Sequence, residues 1–208
     1  MLILNFKRLD ELIHSGAKEI TLDSDVVLGS GEESQYHGGI VLNVDDFVLD
    51  GDGHMIDACS KARIFACMAK NVTVKNLKLE NGFSNSSDSA IVSSRASDGF
   101  SGDIASGAIF NTGELNIIEV IFNQNRAIWG AAIYNRGKLS VISSEFDENH
   151  AEMGGAIYNG GGWFSICESK FRYNESKFNG GAIYNLHGSE LEICKSHFYD
   201  NSTKQHGG

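Results

Sequence analysis

The sequence contains no proline. Its absence excludes collagen-like and proline-rich linker sequence, because both need the ring-locked φ that proline supplies. A run of 18 or more apolar residues is also missing, so nothing reads as a bilayer-spanning helix. The apolar stretch at the start, Met1 to Phe6, is too short to be the core of an export signal. Any such signal therefore lies elsewhere, or the protein stays inside the cell. Lysine and arginine are never clustered, and the net charge is −10. Phosphate neutralisation needs such clusters, so nucleic acid is not expected as a partner.

Cysteine is scarce, with four residues at Cys59, Cys67, Cys167 and Cys194. None forms a Cys-x-x-Cys pair, and no histidines flank them at zinc spacing. Asp50-Gly51-Asp52-Gly53 opens like a calcium loop, but Lys61 stands where the twelfth-position glutamate should be. No metal and no cofactor is expected.

Glycine, by contrast, is abundant, at 24 of 208 residues. Without proline, that content suits a fold with many tight corners. The glycines recur in a repeat. Ser106-Gly107-Ala108-Ile109-Phe110-Asn111 returns as Gly130-Ala131-Ala132-Ile133-Tyr134-Asn135, then Gly154-Gly155-Ala156-Ile157-Tyr158-Asn159, then Gly180-Gly181-Ala182-Ile183-Tyr184-Asn185. The closing asparagines are 24, 24 and 26 residues apart. Phe-x-x-Asn keeps the same beat: Phe122 with Asn125, Phe146 with Asn149, Phe171 with Asn174, Phe198 with Asn201. Gly207-Gly208 looks like the start of a further copy, which suggests that the chain is part of a longer one.

Helical repeats are longer and leave a 3.6-residue pattern, whereas here the residues alternate as strands do: Leu115-x-Ile117, Leu139-x-Val141, Phe164-x-Ile166, Leu191-x-Ile193. Each unit reads as about three short strands joined by corners, unable to bury its own apolar side. Stacked at ~4.8 Å, the units share a continuous core. The expected fold is all-β, a right-handed, single-stranded parallel β-helix of about seven coils. Residues 1–18 are expected to form a short capping helix from the spacing of Phe6, Leu9, Leu12 and Ile13, and 19–83 irregular coils. Residues 84–105 are expected to form a protruding loop, and 106–208 the regular repeats.

Stacking turns sequence positions into columns. Asn111, Asn135, Asn159 and Asn185 should form an asparagine ladder at a corner, where Asn tolerates a left-handed backbone. Ile118, Ile142, Cys167 and Cys194, uniformly small to medium and apolar, are expected inside. Cys167 and Cys194 then read as buried hydrophobes rather than a disulfide. Phe110, Tyr134, Tyr158 and Tyr184 form an aromatic column whose facing the sequence leaves open. Facing out, it would be a stacking platform for sugar rings or a partner; facing in, it would be core. Alternation places Ala with Tyr on one side and Ile with Asn on the other. Asn-x-Ser/Thr triplets at Asn71, Asn85, Asn174 and Asn201 are compatible with glycosylation but are too few to indicate it.

Gly-Gly-Ala-Ile paired with Phe-x-x-Asn resembles the repeat of the chlamydial polymorphic outer membrane proteins. The fuller Gly-Gly-Ala-Ile-Tyr-Asn with a helical cap is similar to adhesin-like surface proteins of methanogenic archaea. These resemblances imply a secreted or surface-displayed β-helix with a role in adhesion. The expected function is thus a non-catalytic, extracellular or cell-surface scaffold that meets glycan or protein partners and can self-associate through an open C-terminal coil. The alternative is a carbohydrate-active enzyme of the pectate lyase or polygalacturonase kind. Its candidate acids are Asp45 and Asp46, in a groove beside residues 84–105, although the companion motifs of those enzymes are missing.

Overall fold

The computed structural model describes residues 3–84 and 105–207. The chain is a parallel β-solenoid of about seven turns with a short helix at its N-terminal end. Three parallel sheets carry 12, 6 and 3 strands among the described residues. In the largest, Glu19–Thr21, Val48–Asp50, Val72–Glu80, Glu114–Asn123, Lys138–Ile142, Trp163–Cys167 and Glu190–Cys194 lie side by side in that order. Each pairs with its equivalent one coil on, so repeat positions coincide: Ile133 lies over Ile157, Tyr134 over Tyr158 and Asn135 over Asn159.

This register builds the interior from like side chains. Phe122, Phe146 and Phe171 are fully buried, and Phe198 continues their stack, with successive ring centroids 4.7, 4.4 and 4.7 Å apart and nearly parallel. Isoleucines 109, 133 and 157 and alanines 108, 132 and 156 share the same core. The alanines therefore lie with the isoleucines rather than with the tyrosines, because the Gly-Ala step is a corner and strand alternation starts only at Ile.

Two asparagine ladders brace the corners. In the first, Asn111, Asn135 and Asn159 each donate from Nδ2 to Oδ1 of the next ladder member, at 2.7, 2.9 and 2.7 Å, ending on Asn185. The asparagines of the Phe-x-x-Asn motif do the same from Asn125 to Asn201, at 2.9, 2.9 and 2.8 Å. In that second ladder each Nδ2 also donates to a backbone carbonyl, Asn149 to Phe122 for example. The left-handed residues are not the ladder asparagines. In the later coils they include the residues just before the second ladder, Gln124, Glu148, Tyr173 and Asp200, and the column Glu119, Ser143, Glu168 and Lys195. In the second ladder the asparagines stay out of the left-handed region and the residue before each takes the corner. In the Gly-Gly-Ala-Ile copies, Gly130, Gly154 and Gly180 have φ of +56, +63 and +65°, and a Cβ there would sit 2.2–2.3 Å from a carbonyl oxygen. The first copy holds the same left-handed backbone with Ser106 at φ +60°, so glycine is favoured at this corner but serine can also occupy it.

The helix Phe6–Ile13 buries Phe6, Leu9 and Ile13 completely and packs against the strand Ile40–Leu42. Asn5 caps it by accepting from the Arg8 N–H at 3.0 Å, and the Glu32 carboxylate accepts from Phe6 and Lys7. Burial and the Asp10 carboxylate beside it push the Tyr36 hydroxyl up to about 12. The expected loop, residues 84–105, lies outside the described residues except for its ends. Ser84 pairs with Arg126 and Ala105 bridges to Trp129, both in the next coil.

Candidate binding surfaces

Strand phase decides what each column can do. Leu139 and Val141 are buried in Lys138–Ile142, so Ile142 must point outward, and it is 40% exposed. The same phase turns Ile118 and Cys167 outward to half-burial and leaves Cys194 exposed. The inward placement expected for this column is therefore wrong. The period of two, not apolar identity, sets the facing of these side chains. Cys167 and Cys194 are not buried thiols but a disulfide, with Cα atoms 4.7 Å apart. One rung of a parallel sheet falls within the disulfide range of ~4.4–6.8 Å, and the outer face leaves the sulfurs free to meet. Buried below this column, Ser144 and Ser169 accept from the N–H groups of Val120 and Ser144 at 3.2 and 3.1 Å.

The aromatic column lies on the side of its sheet away from the main core and is nonetheless covered. Phe110, Tyr134, Tyr158 and Tyr184 stack at 5.7, 5.1 and 5.1 Å. Trp129 lies against Tyr134 and Tyr158, and Met153 packs beside them. Tyr134 is 2% exposed and Tyr158 9%. The buried Arg63 guanidinium closes the lower end, 5.4 Å over the Phe110 ring, donating to the carbonyls of Ala105 and Ser106. Burial, then the neighbouring Tyr184, raises the Tyr158 hydroxyl. The column forms a small second core, so a sugar has no open tyrosine face to stack on in its middle. Only its two ends, Phe110 and Tyr184, are half-exposed.

Asp45 and Asp46 are held as turn residues. Asp45 Oδ1 accepts from the Lys70 N–H at 2.8 Å, and Asp46, at φ +58°, accepts from the Asn71 amide at 2.9 Å. The triplet asparagines Asn174 and Asn201 are committed to the second ladder, and Asn85 lies outside the described residues. Among the described residues no three His, Cys, Asp or Glu side chains are placed to hold a metal ion, and no helix is long and apolar enough to cross a membrane.

The third sheet carries an open groove of about 390 Å³. Its strands are His150–Met153, Glu175–Asn179 and Ser202–Thr203, extended by bridges back to Arg126 and Phe83. Small Ala127 and Ala151 leave the floor low, and the longer side chains of Arg126, His150, Glu152, Glu175, Lys177 and Lys204 rise around it. None of these residues was singled out from sequence. Yet the position after each Phe-x-x-Asn motif reads Arg126, His150, Glu175, Ser202. Once the motif fixes the rung, that position is a column of polar outward groups.

The comparisons with known proteins bear on the repeat itself. Residues 119–136 and 143–160 each match the Chlamydia polymorphic membrane protein repeat. Both stretches resemble that repeat. Each match runs from the left-handed corner at Glu119 or Ser143 through the Phe-x-x-Asn and Gly-x-Ala-Ile-Tyr-Asn motifs, which is one coil of the solenoid without its first strand. No curated protein matches the sequence. Among solved structures, the L. reuteri 53608 SRRP aligns over 100% of this chain and 99% of its own, at 10% identity and a TM-score of 0.34.

Proposed function

We propose that the chain is a non-catalytic, adhesin-like scaffold displayed at a cell surface, where it meets glycan or protein partners. The Chlamydia polymorphic membrane protein repeat carries this reading. The internal use of polar groups supports it: both asparagine ladders and the named aspartates are engaged in holding the rod together. A disulfide between coils suits an oxidising space outside the cytosol. The last described rung also leaves Ile193, Phe198 and Tyr199 exposed beside unpaired strand edges, so the isolated chain should self-associate there, which sizing chromatography would detect.

The deciding experiment is antibody labelling of intact source cells together with adhesion of the purified chain to glycan- and protein-coated surfaces. Surface label and adhesion are expected. Cytosolic location, or turnover of a glycan, overturns the reading. A carbohydrate-active enzyme is the second reading, and what favours it is the groove, where Glu152, Glu175 and His150 stand together. Release of reducing or unsaturated sugar ends from a polysaccharide, abolished by Glu152→Gln or Glu175→Gln, would establish it.

A further inference from the structure

In a chain of net charge −10, the groove on the third sheet holds three cations against two carboxylates. Two of the five are paired with each other: Lys177 Nζ lies 3.4 Å from Glu152. Glu175 faces the His150 ring at 3.5 Å. Among the described residues Arg126 and Lys204 have no carboxylate partner, and they sit at opposite ends. Arg126 bridges to His150, His150 registers with Glu175 and Glu175 with Ser202, two residues before Lys204. The two free cations are therefore three rungs apart, about 14 Å along the axis. Between them lie the low floor of Ala127 and Ala151 and a set of hydrogen-bond acceptors.

That pattern selects its ligand. Well-separated cations call for an elongated molecule with more than one anionic group. Carboxylates between the cations would repel an acidic peptide, which offers few donors in return. They would instead accept hydrogen bonds from hydroxyls. A molecule that repeats anionic groups and hydroxyls along a chain is an acidic polysaccharide. We propose that the groove binds such a polymer lengthwise, with Arg126 and Lys204 taking its anionic groups and Glu152 and Glu175 accepting from its hydroxyls. This rests on the reading of the chain as a binding scaffold and gives that reading a place and a ligand class.

The test uses the whole chain with alginate as a carboxylated probe, dextran sulfate as a sulfated one and dextran as the neutral control. Binding to at least one polyanion and none to dextran is expected, and the two polyanions separate carboxylate from sulfate recognition. Arg126→Ala with Lys204→Ala should weaken binding about tenfold. Arg8→Ala with Lys138→Ala removes the same charge elsewhere and should change binding less than about twofold. Glu152→Ala with Glu175→Ala discriminates most sharply: acceptors for hydroxyls predict weaker binding, whereas general charge attraction predicts tighter binding. All six side chains are exposed or half-exposed, so the variants should fold, and unchanged circular dichroism would show it. Tighter binding by the glutamate variant, or equal loss in the control pair, overturns the proposal. Adhesion to other surfaces without polyanion binding overturns the groove and leaves the scaffold reading standing, whereas no adhesion to any surface removes both.

Discussion

The coils before residue 84 and those after residue 105 solve the same stacking problem by different means. In the later coils one solution is copied: asparagine over asparagine, phenylalanine over phenylalanine, serine over serine. In the earlier coils an aspartate of one coil accepts from a left-handed asparagine of the next, as Asp46 does from Asn71. Asp50 accepts from the Asn76 amide and pairs with Lys75 at 3.0 Å, Asp57 accepts from Asn81, and Asp25 meets His54. Copied ladders use neutral amides that are donor and acceptor at once, so each rung satisfies the next without charge. The early corners rely instead on carboxylates, which accept but cannot donate, and on their partners in the next coil. The two regions should therefore fail differently, by loss of any single rung in one and by acid in the other.

The largest expected difference concerns the ring stack. Phe146→Ala, between Phe122 and Phe171, should cost about 4 kcal/mol in urea unfolding, and Leu49→Ala, equally buried in an early coil, about 3 kcal/mol. Equal losses would say that ring stacking adds nothing to burial. Next comes the amide ladder. Asn149→Ala strips hydrogen bonds from Asn125, Asn174 and Phe122, all buried, and should cost about 3 kcal/mol. Asn76→Ala, half-buried and bonded to a single carboxylate, should lose about 1 kcal/mol of hydrogen bonding and about 1 kcal/mol more from alanine at φ +51°.

Reduction should act on the later region alone. Opening the Cys167–Cys194 bridge, or Cys194→Ser, should lower stability by about 2 kcal/mol and loosen the last two coils in hydrogen exchange. The early cysteines form no bridge. Burial pushes the Cys67 thiol up to about 12, so it should resist alkylation in the folded chain at neutral pH.

Acid should reverse the order of vulnerability, with the smallest effect. Burial pulls the Asp50 carboxyl upward, but the Asp52 N–H, the Asn76 amide and Lys75 together hold it below its usual value. A depressed carboxyl stabilises above its unfolded value and loses that contribution as pH falls through the folded one. The early coils should thus weaken below about pH 4, and Asp50→Asn should remove part of that sensitivity. The amide ladders contain no group that titrates there. If near-ultraviolet circular dichroism and exchange show both regions loosening together, the contrast between them fails.

What the sequence made legible follows the same division. Four copies of two motifs carry the period, the ladders and the stacking of Asn135 over Asn159, because repetition makes register visible without coordinates. Early strands such as Val72–Glu80 were legible from alternation. The two-residue strand Val26–Val27, Met55–Asp57 and the short helix Glu33–Tyr36 were not, since nothing repeats there. Facing was the weak point within the repeat. Ile142 and Cys194 have core-like side chains on the outer face, and Tyr134 is covered by Trp129, which lies outside the motif. The groove was hidden for another reason: its residues differ from coil to coil, and only their shared position after the motif asparagine unites them.

Equivalent positions lie one rung apart in successive described coils. Paired cysteines on the outer face test this directly, in a chain with Cys167 and Cys194 replaced by serine. Ser140 registers with Ser165, and Ser165 with Glu192. Ser140→Cys with Ser165→Cys should form an intramolecular disulfide on mild oxidation, and Ser140→Cys with Glu192→Cys, about 10 Å apart at two rungs, should not. Peptide mapping that finds the second bridge but not the first would contradict the account.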